Sequence, residues 1–164
     1  MGTQFNGPQS TNQIAQGPVV GELDYRTGSG QTEAGIIDSS SAGNLLPGTP
    51  ITVIDSGGGV VKVKEAALNT DDVYGFICFD KKWSLFQVGD VVDIAHDRNV
   101  VMYMVAAAAI ARNAKVEVVI NLAAPTVQTQ TATHTIVGRL KDKAFAAGDL
   151  VRVEIDLPGV TPQP

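Results

Sequence analysis

The sequence predicts an all-β fold: a small β-barrel or sandwich built from related hairpin units, with an extended N-terminal arm. Three observations predict it. The first is a repeated phrase, GDVVDI from Gly89 and GDLVRV from Gly148, with a looser GTPITV from Gly48. In each, a Gly turns the chain and apolar residues then alternate at period two, the signature of a half-buried strand. The second is what precedes the two strong copies. Val73, Gly75, Ile77, Asp80, Lys81 and Phe86 stand before Gly89, and Ile136, Gly138, Leu140, Asp142, Lys143 and Phe145 stand before Gly148. The copies match if the first carries four extra residues in its connecting loop. An internal repeat of this kind sets the architecture before any motif does. The third is composition. Of 164 residues, 44% are hydrophobic, yet only 5% are aromatic, so the apolar content is mostly Val, Ala, Ile and Leu. Chains rich in Val, Thr and Gly favour strands and turns.

The element order follows from local pattern. Residues 1–33 are rich in Gly, Gln, Asn, Thr and Ser, with sparse apolar residues of no period. Such a stretch buries too little surface to offset its ordering entropy; it reads as an extended arm, either a disordered leader or one that orders on a partner surface. Phe5, Ile14, Val19, Val20, Leu23 and Tyr25 are spaced along it as candidate partner anchors. Arms of this type bind by adding strands or filling pockets.

A barrel domain is expected over residues 34–157. AGIIDSS is a short apolar run stopped by serines, and LLPGTPITVID turns through Pro47 and Pro50 into a strand. SGGG at 56–59 is a hairpin connection to VVKVK, where Val61 and Val63 face in and Lys62 and Lys64 face out. EAALNTDD suggests a helical turn. VYGFICF is a strand with Gly75 inside it, which marks a bulge, a bend or close backbone approach. Gly138 repeats it. GDVVDIA and NVVMYMV form a hairpin around HDRN. AAAAIAR has helical propensity, but strong strands flank it. Strand–turn–strand through Asn113 is therefore favoured over a helix. TVQTQTATHTI is a Thr-rich strand or exposed loop. The last unit runs from Ile136 to Ile155, and residues 158–164 form an irregular tail.

Several functions are disfavoured. Net charge is −5 and the pI is about 4.8, with basic residues scattered, so a nucleic-acid groove is not expected. Charged residues make up only 18%, low for a free enzyme. The single Cys78 lies in an apolar run and reads as a buried thiol. The polar N-terminus has no secretory core, and the longest apolar stretch, Val100 to Ala111, is too short to span a bilayer. The chain therefore reads as soluble and intracellular when made, with no membrane partner.

Candidate chemistry is thin. Asp90, Asp93, His96 and Asp97 form a D-x-x-D-x-x-H-D string with cation-ligand character. Odd spacing puts Asp90 and Asp93 on opposite faces of a strand. A turn-capping Asp, repeated at Asp149, is the better reading. His134 lies far away in sequence. Gly57–Gly59 lacks the G-K-[ST] of a phosphate loop, and no Ser sits in a G-x-S-x-G frame. No catalytic residue, cofactor or metal site is expected. Phe86 is expected to cover the barrel core, with Phe145 as its counterpart. Trp83 has no counterpart and is a further candidate contact residue.

Taken together, LLPGTPITVID, GGGVVKVK, YGFICFDKK, F-x-x-GDVVDI, VVMYMVAAAAIARNAKVEVV and IVGRLKDKAFAAGDLVRVEI resemble the capsid cement (decoration) proteins of tailed bacteriophages. The resemblance covers residues 34–157. It implies a non-enzymatic virion protein on the capsid exterior, made in the host cytoplasm. It also implies the major capsid protein as partner, and dimers or trimers of the chain on capsid symmetry axes. Alternatives are a tail or baseplate β-module, or a small β-barrel hydrolase or carbohydrate-binding module.

Overall fold

The computed structural model describes residues 18–24, 32–55, 60–67, 71–82, 85–96, 98–120, 125–131 and 136–157. These residues hold ten strands and no helix. The all-β expectation of related units holds, but the units are two whole barrels. The first contains β1 (Thr32–Ile37), β2 (Pro50–Asp55), β3 (Val61–Glu65), β4 (Gly75–Ile77) and β5 (Val91–Ala95). The second contains β6 (Val101–Ala106), β7 (Lys115–Val119), β8 (Thr126–Thr129), β9 (Ile136–Leu140) and β10 (Leu150–Ile155). Around the first barrel the order is β1-β3-β2-β4-β5, and around the second β6-β8-β7-β9-β10. These are the same circuit. In each, the first and third strands are parallel and the other pairs antiparallel.

Hydrogen bonds fix the correspondence residue by residue. Gly89 N–H donates to Ile37 O, and Gly148 N–H to Ala106 O. Gly48 N–H donates to Ile77 O, and Asn113 N–H to Leu140 O. Leu45 and Phe86 exchange backbone bonds, as do Ile110 and Ala144. Two expectations are corrected here. The loose GTPITV phrase is not a third copy of the strong one. Gly48 opens β2, and its counterpart is Asn113, which opens β7. Both hold a left-handed backbone, with φ of 81° and 63°, a conformation open to Gly and tolerated by Asn. Nor is Phe145 the partner of Phe86. Phe86 is buried, but its counterpart is the buried Ala144, while Phe145 is 74% exposed. The second turn carries one more residue between this position and its Gly.

The alanine-rich stretch resolves as strand–turn–strand. β6 ends at Ala106, Ile110 makes a single bridge, and Asn113 turns the chain into β7. The hairpin expected around HDRN does not form: β5 pairs with β1 and β4, β6 with β8 and β10, and the connection holding Asn99, with φ of 70°, joins one barrel to the other. In the EAALNTDD stretch Glu65 ends β3, residues 66–67 and 71–72 are non-helical, and 68–70 lie outside the described residues.

Two apolar clusters fill the barrels. Ile37, Leu45, Ile51, Val63, Ile77, Phe86, Val92 and Ile94 fill the first. Met102, Met104, Val116, Val127, Leu140, Val151 and Val153 belong to the second, larger cluster. That cluster also takes in Phe76, Cys78 and Ala95 from the first barrel. Phe76 adjoins Ile77 in β4, so the strand buries both its faces, one inside its own barrel and one against the second. Close backbone approach explains both repeated glycines. A Cβ on Gly75 would lie 2.8 Å from Ala95 O, and one on Gly138 2.1 Å from Glu154 O.

Cys78 is a buried free thiol, as its apolar setting suggested. Burial first, then the nearby Asp93 charge, push its pKa up to about 12. Alkylation by iodoacetamide at pH 8 should therefore run about a thousandfold slower in the folded protein than in urea. Comparable rates in the two states would show that the thiol is open to solvent.

Candidate functional site

The acidic string does not assemble. Asp90 caps the Gly89 turn, accepting the Gln87 N–H at 2.7 Å. Asp149 does the same at the Gly148 turn, accepting from Phe145 at 2.7 Å and Ala146 at 3.1 Å. Asp93 points outward from β5. His96 turns the other way, stacking on Tyr74 with centroids 5.0 Å apart. Its Nε2 lies 3.3 Å from a Glu33 carboxylate oxygen, which also accepts the Tyr74 hydroxyl. This group ties β1 to the end of β5. Among the described residues, no three His, Cys, Asp or Glu side chains gather to hold a metal ion. Asp97, His134 and Gly57–Gly59 lie outside the described residues.

The arm anchors divide. Phe5, Ile14, Tyr25 and Trp83 lie outside the described residues. Val19 is exposed, and Val20 is half-buried with a methyl close to Gly48. Leu23 packs on the larger core and bridges Met102. Residues 21–24 are thus built into the fold. Gly21 accepts the Phe79 N–H from the first barrel and donates to Tyr103 O in the second, both at 2.8 Å. Asp24, nearly fully buried, pairs with Arg152 at 3.0 Å, and Arg152 also forks onto Asp142 at 2.7 and 2.9 Å. The guanidinium holds the Asp142 carboxyl below the usual carboxylate range.

Besides Asp24, two more buried carboxylates carry no signal in the sequence. Glu65 accepts from Ser41 Oγ at 2.5 Å and Ala42 N–H at 2.8 Å, pinning the loop after β1. Glu117 accepts from Gln128 Nε2 at 2.6 Å and Thr131 N–H at 2.8 Å. Glu117 lies on the face of β7 opposite the core residues Val116 and Val118, where Gln128 and Thr131 cover it, beside a β7–β9 bulge whose extra residue, Val137, is on β9. No sequence signal marks such a bulge.

The feature that remains for function is apolar surface at equivalent turns. Leu85, Val88 and Val91 are exposed around Gly89, and Phe145 and Leu150 around Gly148. Val91 and Leu150 occupy the same position, directly after the capping Asp. Val91 is 66% exposed, and the Lys143 ammonium lies 4.7 Å from the Phe145 ring centroid. The turns are rigid, each held by a left-handed Gly at φ of 88° and 90° and by its Asp cap. Rigid turns presenting large apolar side chains suit protein docking, because little entropy is lost on contact.

No family model matches the chain, and no curated protein matches it. Among solved structures, the chain is similar to the N-terminal base of the head fibre of bacteriophage phi29. The TM-score is 0.47 and the identity 14%, over 76% of this chain and 92% of that one. A likeness that loose fixes neither fold nor role.

Proposed function

We propose that this chain is a non-enzymatic virion component that binds the outer face of a capsid lattice and stabilises the expanded head. The observation that carries the reading is the exposure of Val91 and Phe145 on matched, rigid turns of two barrels with apolar cores. The sequence phrasing of cement proteins supports it. Two similar contacts on one chain strengthen each other, since the second forms at high effective concentration once the first is made. A protein that binds only the expanded lattice stabilises that state by mass action.

The test uses shells of the cognate virus in a sedimentation assay. The native chain is expected to sediment with expanded shells and to stay behind with unexpanded ones. Val91→Asp with Phe145→Asp should weaken binding at least tenfold, while melting stays within a few degrees, because both side chains are exposed. Binding to no shell at all, or undiminished binding by the double variant, would overturn the reading.

A further inference from the structure

The two barrels differ at one strand edge. In the second, β6 pairs with β8 only through Val105 and Ala106, which leaves Val101–Tyr103 bare on that side. Residues 21–24 fill the gap. Gly21 N–H donates to Tyr103 O at 2.8 Å, Tyr103 N–H to Glu22 O at 2.9 Å, and Asp24 N–H to Val101 O at 2.8 Å. Leu23 sits antiparallel to Met102.

The first barrel has the same gap. β1 pairs with β3 only from Gly35 onward. Ile37 N–H donates to Asp90 O as Ala106 N–H does to Asp149 O, so Ile37 corresponds to Ala106. Counting back, Ala34 corresponds to Tyr103 and Thr32 to Val101. Ile37 N–H faces β5, and Asp38 N–H faces Val63 of β3. Alternation along an antiparallel ladder then aims the N–H and C=O of Thr32 and Ala34 away from β5. Both residues are exposed, and no segment among the described residues pairs with that edge. A bare edge of this kind is a template for another strand.

We propose that the Thr32–Ala34 edge is a strand-addition site that receives residues 9–17 of a second copy of this chain. The filled edge of the second barrel shows what fits: a short extended segment, antiparallel, with one large apolar residue among polar ones. Residues 9–17 have that pattern, with Ile14 in the place that Leu23 holds in its own segment. They lie between Pro8 and Pro18 and contain no proline, so every residue has an N–H to donate. They are continuous with the segment anchored on β6. Nine residues reach about 30 Å when extended, enough to cross to a neighbouring molecule. Among the described residues, one segment, 21–24, fills one of the two equivalent edges, and the strand for the other is assigned to another copy. Reciprocal exchange closes a dimer, and head-to-tail exchange closes a ring.

Sedimentation equilibrium of the full chain tests this without any shell, so its outcome is separate from the proposed function. The native protein is expected to be a dimer or small ring. Deletion of residues 1–17 should give a monomer with unchanged circular dichroism. Ala34→Pro should do the same, because it removes only the outward N–H. A monomeric native protein, or an oligomer that survives the deletion, would overturn the proposal. A mixing experiment covers the case in which Ala34→Pro does not fold. Leu23 opposes Met102 and Asp24 opposes Val101, so Ala15 falls opposite Thr32. Chains carrying Ala15→Cys and chains carrying Thr32→Cys, mixed and mildly oxidised, should form an interchain disulfide between the two variants. Cys78 stays out of the reaction because it is buried. Absence of that mixed product would equally sink the idea.

Discussion

Gly138→Ala is expected to cost the fold at least about 3 kcal/mol, the upper end for overpacking, because the clash is with backbone. The new methyl would sit 2.1 Å from Glu154 O, 3.0 Å from Glu154 C and 3.1 Å from a Val153 methyl. A carbonyl in a ladder cannot rotate away. The β9–β10 pairing at Ile155 and the β7–β9 pairing at Val116 both pass through Gly138, so relief means parting the barrel wall. Gly75→Ala in the first barrel is expected to be milder, about 1–3 kcal/mol. Its shortest contact is 2.6 Å to an Ile94 methyl, which can shift, although Ala95 O at 2.8 Å still resists. Urea midpoints of the two variants check the order. Equal losses, or a larger loss at Gly75, would contradict this account of the glycines.

Arg152→Ala is expected to lose about 3 kcal/mol, the low end for breaking a buried ion pair. Arg152 pairs with both Asp24 and Asp142. Its removal takes that guanidinium from the Asp24 carboxylate, which is 1% exposed. The pH dependence has a defined sign. The folded-state pKa of Asp142 is lowered from 3.8, so the unfolded chain binds the proton more readily. That contribution is present above about pH 4 and is lost as pH falls through the lower folded value. Because Asp142 is over a third exposed, solvent screening keeps its share small. Thermal melts from pH 6 to pH 2 should fall less steeply for Asp142→Asn than for the native chain. Parallel curves would remove Asp142 from the acid response.

The sequence shows the repeat most clearly where the backbone makes a demand that few residues meet. Gly75 and Gly138 stay legible because a Cβ collides with a neighbouring carbonyl at both. Asp90 and Asp149 stay legible because each caps its turn. Elsewhere the same demand is met by different residues. Gly48 and Asn113 share a left-handed turn but not a name, so in sequence Gly48 resembles the strong phrase while its structural counterpart is Asn113. The extra residue in the Gly148 turn moved Phe145 from the core to the surface. Exposure at Val91 was equally hidden, since a Val in an alternating strand reads the same whether its face meets solvent or a core. The fate of residues 21–24 depends on Arg152, which no local pattern reveals.

That clasp also fixes an order of events. Asp24 and Arg152 are separated by 128 positions. At about 5–20 residues per second, the ribosome adds the arginine roughly 6–25 s after the aspartate. The first barrel closes from strands within Thr32–Ala95, so it can form during that interval. The segment that seals the second barrel must wait for β10. Residues 21–24 are therefore synthesised before all ten described strands and secured last. A nascent chain stalled before Leu150 should leave them open to protease while the first barrel already resists it.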